Sequence, residues 1–194
     1  NLDQQRNSLE YYTRIINDHP SSSYIKQSLL QLGLIHYNLN NNDEALSYYK
    51  RVVAEYPGTE EARNALTGIK NIYVDQNNVD AYFSYVNGLG DYGRVSMNEQ
   101  DSLTYISAEK IYMNEGCTNA TEFFRKYLQK FPNGNFAINA HFYLADCLNR
   151  NDNPTQALSH FEYVIDRPKN SFTEQALSAI ARIHLDKENY QEAL

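Results

Sequence analysis

The sequence predicts an all-α fold, an α-α superhelix of antiparallel helix pairs, and two observations carry this prediction. First, a short phrase ending in proline recurs at Pro20, Pro57, Pro132 and Pro168, so that successive prolines are 37, 75 and 36 residues apart. Because the middle interval is close to twice the others, one phrase is missing near Gly93 and the period is about 36–38 residues. Second, small residues recur in one frame within this period. Both features are typical of helical repeats that stack into a solenoid.

The small residues predict where neighbouring helices approach closely. One set belongs to the first helix of each pair and the other to the second helix: Gly33, Ala108, Ala145 and Ala181, and Ala45, Ala120, Ala157 and Ala193. Large side chains at Tyr49, Phe124 and Phe161 would fill the space between the helices. Proline cannot continue a helix and restricts the residue before it, so it ends each repeat.

This frame divides the chain into a half repeat, four repeats and a partial repeat, at 1–20, 22–57, 59–94, 97–132, 135–168 and 171–194. It predicts helices at 4–18, 22–39, 42–56, 60–76, 78–88, 98–114, 118–131, 135–150, 154–166, 172–187 and 189–194. Terminal repeats of a complete solenoid carry a polar capping face, whereas Tyr11, Ile15 and Ile16 have the character of interior residues. We therefore expect a single solenoid that is a fragment of a longer array and self-associates weakly through its ends.

The second repeat departs from the pattern. Lys70 and Tyr82 stand where small residues belong, and a glycine-rich segment at 88–96 replaces the usual proline phrase. We interpret this segment either as a longer, mobile connection at which the superhelix changes direction or as part of a degenerate repeat without functional meaning.

Composition excludes several classes of partner. The net charge is −7 and no basic stripe is present, which argues against nucleic acid and anionic membrane surfaces. No stretch approaches the roughly 18 consecutive apolar residues of a membrane span, so we expect no direct membrane insertion. Cys117 and Cys147 are too few for a disulfide framework and lack metal-ligand spacing. We expect buried free thiols, with a single bridge as the alternative if the protein is exported.

The histidines give no sign of metal binding or catalysis. His36 and His184 occupy equivalent places in their repeats, where packing explains them. His141 and His160 fall on different helices of one repeat without a third ligand at a recognisable spacing. No serine lies in a nucleophile elbow, and no phosphate-binding loop is present. We expect no enzymatic activity, no metal and no cofactor.

The string LGLIHYNLNNNDEALSYYKRVVAEYP, which ends at Pro57, matches the tetratricopeptide-repeat motif without a gap, and nearly the whole chain resembles this family. The phrases HPSS, YPGT and FPNG resemble repeats of bacterial cell-envelope proteins, namely the Tol-Pal coordinator and the outer-membrane assembly lipoprotein. The high Asn and Tyr content is similar to that of large repeat proteins of the Bacteroidetes. These resemblances imply a periplasmic or cell-envelope location, which the residues themselves do not establish.

In this family the first helices line a concave groove that takes extended or helical peptides. The resemblance therefore implies groove residues on three first helices: Gln27, Leu30, Leu34, Tyr37 and Asn38; Ser102, Tyr105, Glu109, Tyr112 and Met113; and Asn139, Phe142, Asp146, Asn149 and Arg150. Tyr37, Tyr105, Tyr112 and Phe142 are expected to be its exposed aromatic side chains. Few Lys or Arg residues lie on these faces, so the basic clamp with which some co-chaperone repeats hold a carboxylate is absent.

Three functions fit the sequence. The first is a scaffold that binds a protein or peptide in the groove. The second is an architectural spacer without a groove ligand, and the third is a regulatory module of a larger protein whose catalytic or DNA-binding domain lies outside this chain. No residue identifies the partner.

The repeat frame can be tested by overpacking it. Replacing Gly33 or Ala145 with Leu should crowd the predicted helix interface and lower the free energy of unfolding by about 1–3 kcal/mol. Thermal unfolding of the two variants and the parent measures this, and equal stability in either variant would mean that the frame is misplaced.

Overall fold

The computed structural model describes residues 2–186, with side chains from Arg6 onward, and these residues form ten α-helices and one short 3₁₀ helix, without β-strands. The helices are α1 (Leu2–Asp18), α2 (Ile25–Asn38), α3 (Asn42–Glu55), α4 (Glu60–Asp75), α5 (Val79–Asn87), α6 (Met97–Glu115), α7 (Cys117–Lys130), α8 (Ala137–Arg150), α9 (Pro154–Ile165) and α10 (Thr173–Asp186). The predicted all-α fold of antiparallel helix pairs is confirmed. The eleventh predicted helix, at 189–194, lies outside the described residues.

Most helix boundaries fall within two residues of their predicted positions, but α2 begins at Ile25 rather than residue 22. The reason is a pair of tight turns before it, because Ser22 N donates to His19 O and Ile25 N donates to Ser22 O. A similar turn delays the start of α8, where Ala137 N donates to Gly134 O.

Residues 2–186 include four turns within helix pairs, and three of them share one conformation. Asn40, Asn77 and Asp152 have φ values of 59°, 54° and 57°. These are left-handed positions, which Asn and Asp tolerate better than other non-glycine residues. In each case the next amide bonds to a carbonyl five residues earlier, for example Asn41 N to His36 O at 2.9 Å. These bonds satisfy carbonyls at the helix end and reverse the chain in three residues.

The chain divides into two compact units, Asn1–Arg94 and Val95–Leu194. The division falls inside the glycine-rich segment that the sequence singled out at 88–96. Part of this segment is a 3₁₀ helix, Gly90–Gly93. Gly93 is buried, and a side chain there would overlap the carbonyl oxygen of Val86, so only glycine fits without a backbone shift.

The core of unit 1 is organised around Tyr49 of α3, which is 3% exposed. A Cβ atom built on Gly33 of α2 would lie 2.5 Å from Tyr49 Cε1, and one built on Gly68 of α4 would overlap the opposite edge of the same ring. Both neighbouring helices therefore approach Tyr49 through a glycine. The sequence frame identified Gly33 but missed Gly68, which lies two residues before the repeat position that Lys70 occupies.

Unit 2 has an aromatic core in which Phe124, Tyr127 and Phe161 are at most 2% exposed. One carboxylate, Asp101, is buried beside it at 4% exposure. Tyr127 Oη donates to Asp101 Oδ1 at 2.5 Å, and Asn135 N donates to Asp101 Oδ2 at 2.7 Å. Burial, followed by the bond to Asp101, raises the pKa of Tyr127. This network ties the turn before α8 to α6, and it supplies hydrogen-bond donors to both oxygens of the buried carboxyl group.

The two cysteines are joined in a disulfide between Cys117 at the start of α7 and Cys147 within α8. The expectation of free thiols was therefore wrong, and the alternative of a single bridge is the one found. The residues are 30 apart in sequence, but the turn before α7 lies against α8 and brings their Cα atoms to 4.8 Å.

Replacing Gly68 with Ala should destabilise unit 1 by about 1–3 kcal/mol, because the added methyl group overlaps a ring that Gly33 blocks from the other side. Ordinarily this substitution in a helix stabilises by about 1 kcal/mol. Urea unfolding of the parent and the variant measures whether the substitution lowers or raises the free energy of unfolding.

Asn64→Ala, at an exposed position of the same helix α4, is the matched control and should be neutral or slightly stabilising. If Gly68→Ala also increased stability, Tyr49 would not be held between the two glycines.

Candidate protein-binding face

In unit 1, the first helices of two successive pairs are linked by a tyrosine and a carboxylate. Tyr37 Oη, in the last turn of α2, donates to Asp75 Oδ2 at the end of α4 with a distance of 2.6 Å. The bond to Asp75, followed by burial, raises the pKa of Tyr37. At the other end of the same helices, Lys26 Nζ lies 3.0 Å from Glu61 Oε2. We call the exposed side of α2 and α4 beside these links the unit 1 face.

The predicted groove residues of α2 are only partly covered. Leu34 is 42% exposed, Gln27 and Asn38 are exposed, and Leu30 and Tyr37 are half-buried. The unit 1 face therefore combines aliphatic side chains with amides and one fixed carboxylate.

In unit 2, the same kind of link joins α6 to α8. Tyr112 Oη donates to Asp146 Oδ2 at 2.8 Å, and Arg150 Nε lies 3.0 Å from the same oxygen. Burial, followed by the hydrogen bond to Asp146, raises the pKa of Tyr112 to about 12. Tyr37 and Tyr112 occupy equivalent places two periods apart. We call the exposed side of α6 and α8 around this link the unit 2 face.

Tyr105 was expected to be an exposed aromatic residue of the groove, and this was wrong, because it is only 2% exposed. Its ring stacks on Phe136 with a centroid distance of 4.5 Å, so the turn before α8 covers it. Its hydroxyl donates to Glu109 Oε1 at 2.7 Å. Burial and this bond both raise the pKa of Tyr105. Tyr105 positions Glu109 but offers no ring to a ligand.

The other predicted residues of unit 2 remain at the surface to different degrees. Met113 is 63% exposed and Arg150 is exposed, whereas Asn139, Asn149 and Asp146 are half-buried. Phe142 is also half-buried, because it stacks on Phe172 with a centroid distance of 4.5 Å. Its exposed area is thus smaller than the sequence suggested.

Two residues beside these faces, Asp75 and Tyr143, are not among the groove residues predicted from the repeat pattern. Asp75 lies one period after Asn38, and this spacing could have placed it beside the groove residues of α2. Tyr143 fills the gap between repeats, with its ring 4.8 Å from that of Tyr112 and 5.7 Å from that of Phe124. The packing role of Tyr143 is visible only in the contacts that α8 makes with α6 and α7.

The Tyr112 hydroxyl of the unit 2 face is a hydrogen-bond donor. With a pKa of about 12, Tyr112 stays protonated at neutral pH and donates a hydrogen bond rather than acting as a base or nucleophile. Within residues 6–186, no three His, Cys, Asp or Glu side chains are grouped to hold a metal ion. Over the same residues, every helix is too short or too polar to cross a membrane.

The structure does bring His141 and His160 together, on α8 and α9. Their Nδ1 atoms are 2.7 Å apart, so one ring must donate a proton to the other. His141 also stacks on Tyr163 with a centroid distance of 3.6 Å, and the guanidinium of Arg167 covers the Tyr163 ring at 3.8 Å. Burial, with further contributions from His160 and Arg167, lowers the pKa of His141 to about 4. Burial, followed by the charge of Arg125, lowers the pKa of His160.

Comparison with known proteins supports the repeat assignment for one part of the chain. Residues 27–59, which span α2 and α3, match the family model described as Tetratricopeptide repeat. No curated protein matches this sequence significantly.

Solved structures with a similar arrangement of helices include three proteins, two of which are described as tetratricopeptide-repeat proteins. YrrB, a protein with an unusual peptide-binding site, is 18% identical, with 96% of this chain and 88% of that chain covered and a TM-score of 0.43. PilF of Pseudomonas aeruginosa is 14% identical, with 98% and 82% covered and a TM-score of 0.43. A tetratricopeptide repeat protein of Parabacteroides merdae is 15% identical, with 99% and 69% covered and a TM-score of 0.39. With every TM-score below 0.5, none of these likenesses bears on a ligand.

The histidine pair predicts a pH dependence of stability. In the unfolded chain a histidine takes up its proton near pH 6.5, whereas folded His141 does so only near pH 4. The unfolded state therefore binds more protons in this window, so stability should fall as the pH is lowered from 6.5 to 4. The urea midpoint at several pH values measures this.

Replacing both His141 and His160 with Gln should make the stability less dependent on pH between 6.5 and 4. His19→Gln is the control, because His19 is exposed in a turn and should leave the profile unchanged. A profile that is equally steep in the double variant would assign the acid sensitivity to other groups.

Proposed function

We propose that this chain is a non-enzymatic protein-interaction scaffold that binds extended peptide segments of partner proteins on the unit 1 and unit 2 faces. One observation carries the proposal. In both units a tyrosine at the same repeat position, Tyr37 or Tyr112, is bonded to a carboxylate on the next first helix. This bond fixes two helices side by side, and a fixed surface loses less conformational entropy when it binds a ligand.

The residues beside these links suit a peptide. Exposed Leu34 and Met113 offer apolar contact area. Side-chain amides carry both a donor and an acceptor, as does each unit of a peptide backbone, and Asn38 and Asn149 place such amides in the last turns of α2 and α8. On the unit 1 face Asp75 adds a carboxylate, which would favour partner segments that carry Lys or Arg, whereas on the unit 2 face Asp146 is already paired with Arg150.

A cell-envelope location, implied by resemblance alone, is part of this proposal. The Cys117–Cys147 disulfide supports it, because such bonds persist mainly in oxidising compartments.

The proposal is tested by selecting binders to the 194-residue chain from a displayed library of random dodecapeptides. Enriched peptides are then synthesised, and their Kd values are measured by calorimetry with the parent and with face variants. Met113→Ala combined with Asn149→Ala should weaken peptides bound by unit 2 about tenfold, the effect of losing about 1.4 kcal/mol of contacts. Leu34→Ala combined with Asn38→Ala should do the same for peptides bound by unit 1.

Glu122→Ala combined with Lys126→Ala is the matched control. These two residues form an exposed ion pair on α7, with side-chain exposures of 72% and 58%, and they lie outside both faces. Their removal should leave every Kd unchanged. If no peptide is enriched over a chain-free surface, or if the control weakens binding as much as the face variants, the scaffold proposal fails and an architectural spacer becomes the better explanation.

A further inference from the structure

Among the four turns within helix pairs that the described residues include, the disulfide lies at the one that lacks the Asn or Asp conformation. In the other three turns a left-handed Asn or Asp is followed by an amide bonded to the preceding helix. Between α6 and α7 the left-handed residue is Gly116, with φ of 72°, and its amide donates to Tyr112 O at 3.1 Å. Glycine has many alternative conformations, so this turn is intrinsically the least restrained. Cys117, the next residue, joins it to α8 through Cys147.

The disulfide also runs beside the link that fixes the unit 2 face. Cys147 directly follows Asp146, whose Oδ2 accepts from Tyr112 Oη. Tyr112 in turn supplies the carbonyl that accepts from Gly116. The covalent bond and the Tyr112–Asp146 hydrogen bond thus connect the same two segments, the end of α6 with its turn and the middle of α8.

Solvent access differs between the two sulfur-bearing residues. Cys147 is fully buried, whereas Cys117 is half-buried at the start of α7. Because Cys117 is the less buried residue, we expect an external thiolate to attack the disulfide at Cys117, with the Cys147 thiolate as leaving group.

We propose that the Cys117–Cys147 disulfide is a redox-sensitive lock. It holds the turn between α6 and α7 on α8 and thereby sets the geometry of the unit 2 face, and thiol–disulfide exchange opens it. Its consequence for ligands rests on the proposed function, but its effect on the turn does not. In the reduced chain the end of α6 is still joined to α8 by the Tyr112–Tyr143 ring contact and by the Tyr112–Asp146 bond, which is a single hydrogen bond at a partly solvated site.

The exchange is balanced by a dithiol, either small or part of a thioredoxin-like protein. One thiolate of the dithiol attacks Cys117 Sγ, which breaks the S–S bond, forms a mixed disulfide and releases the Cys147 thiolate, which takes up a proton. The second thiolate of the dithiol then attacks the dithiol's sulfur in the mixed disulfide. This closes the disulfide of the reagent and releases the Cys117 thiolate, which takes up the second proton. Two electrons and two protons pass to the protein, and the dithiol leaves as a disulfide. Oxidation by a protein disulfide runs through the same steps in reverse.

The lock is tested first without a ligand, by amide hydrogen exchange of the oxidised and the dithiothreitol-reduced 194-residue chain. Amides in 113–119 should exchange at least about tenfold faster after reduction, because local opening there becomes easier. The equivalent turn in unit 1, at 38–44, should be unchanged and serves as the internal control. A variant with Cys117→Ser and Cys147→Ala should exchange like the reduced parent and should not respond to dithiothreitol.

Tyr112→Phe shows whether the two links act in parallel. In the oxidised chain the disulfide should mask the loss of the hydroxyl, whereas in the reduced chain the substitution should accelerate exchange at 113–119 further. Equal exchange rates in the oxidised and reduced parent would overturn the lock, and so would a Tyr112→Phe effect of the same size in both states.

The consequence for binding is measured with the peptides selected on the oxidised chain. Those weakened by Met113→Ala with Asn149→Ala should lose about tenfold in affinity on reduction, and those weakened by Leu34→Ala with Asn38→Ala should lose none. Faster exchange combined with unchanged affinity for the first group would overturn control of the face. If neither form binds any peptide while exchange still responds to reduction, the proposed function fails and the redox response of the turn stands.

Discussion

Close approach of helices through residues without large side chains is the constraint on which the rest of this structure depends. Tyr49 shows it most directly, because its ring lies between Gly33 on one neighbouring helix and Gly68 on the other. A helix that carries a larger side chain at either position would have to move away, since Tyr49 is itself buried. The spacing of first helices follows from this contact. The spacing in turn allows the hydroxyl of Tyr37 to reach the carboxylate of Asp75.

Unit 2 has a more aromatic core than unit 1 and a buried carboxyl group, Asp101. Phe124 and Tyr127 pack where the first helices of successive repeats meet, and Asp101 receives hydrogen bonds from Tyr127 and from the backbone of Asn135. An unpaired carboxylate at this depth would be strongly unfavourable, so the two donors are a condition for burying it. The result is a turn before α8 that is held in place and covers Tyr105. The face that remains is therefore smaller than the row of first-helix residues in the sequence.

Two different means reverse the chain within the helix pairs of the described residues, and unit 2 uses both. Asn and Asp at left-handed positions serve three turns, and glycine with a disulfide serves the fourth. The first device is local, because the backbone bond it makes spans only five residues. The second depends on a contact between segments 30 residues apart, so it exists only when the fold has formed and the thiols are oxidised. A chemical change in the surroundings can act on the second device but not on the first.

The sequence by itself determined the repeat period, the helix pairs and most helix boundaries, because small residues, proline and Asn-rich turns act over a few neighbouring positions. It also identified Tyr37 and Tyr112 as equivalent residues. Only the tertiary structure decided which side chains at the first-helix positions stay accessible and whether the two cysteines are bonded. Leu30, Tyr105 and Phe142 hold the same place in their repeats, yet Tyr105 alone is buried, because Phe136 from the next repeat stacks on it. Such burial and pairing arise from segments distant in sequence, and a repeat pattern carries no information about them.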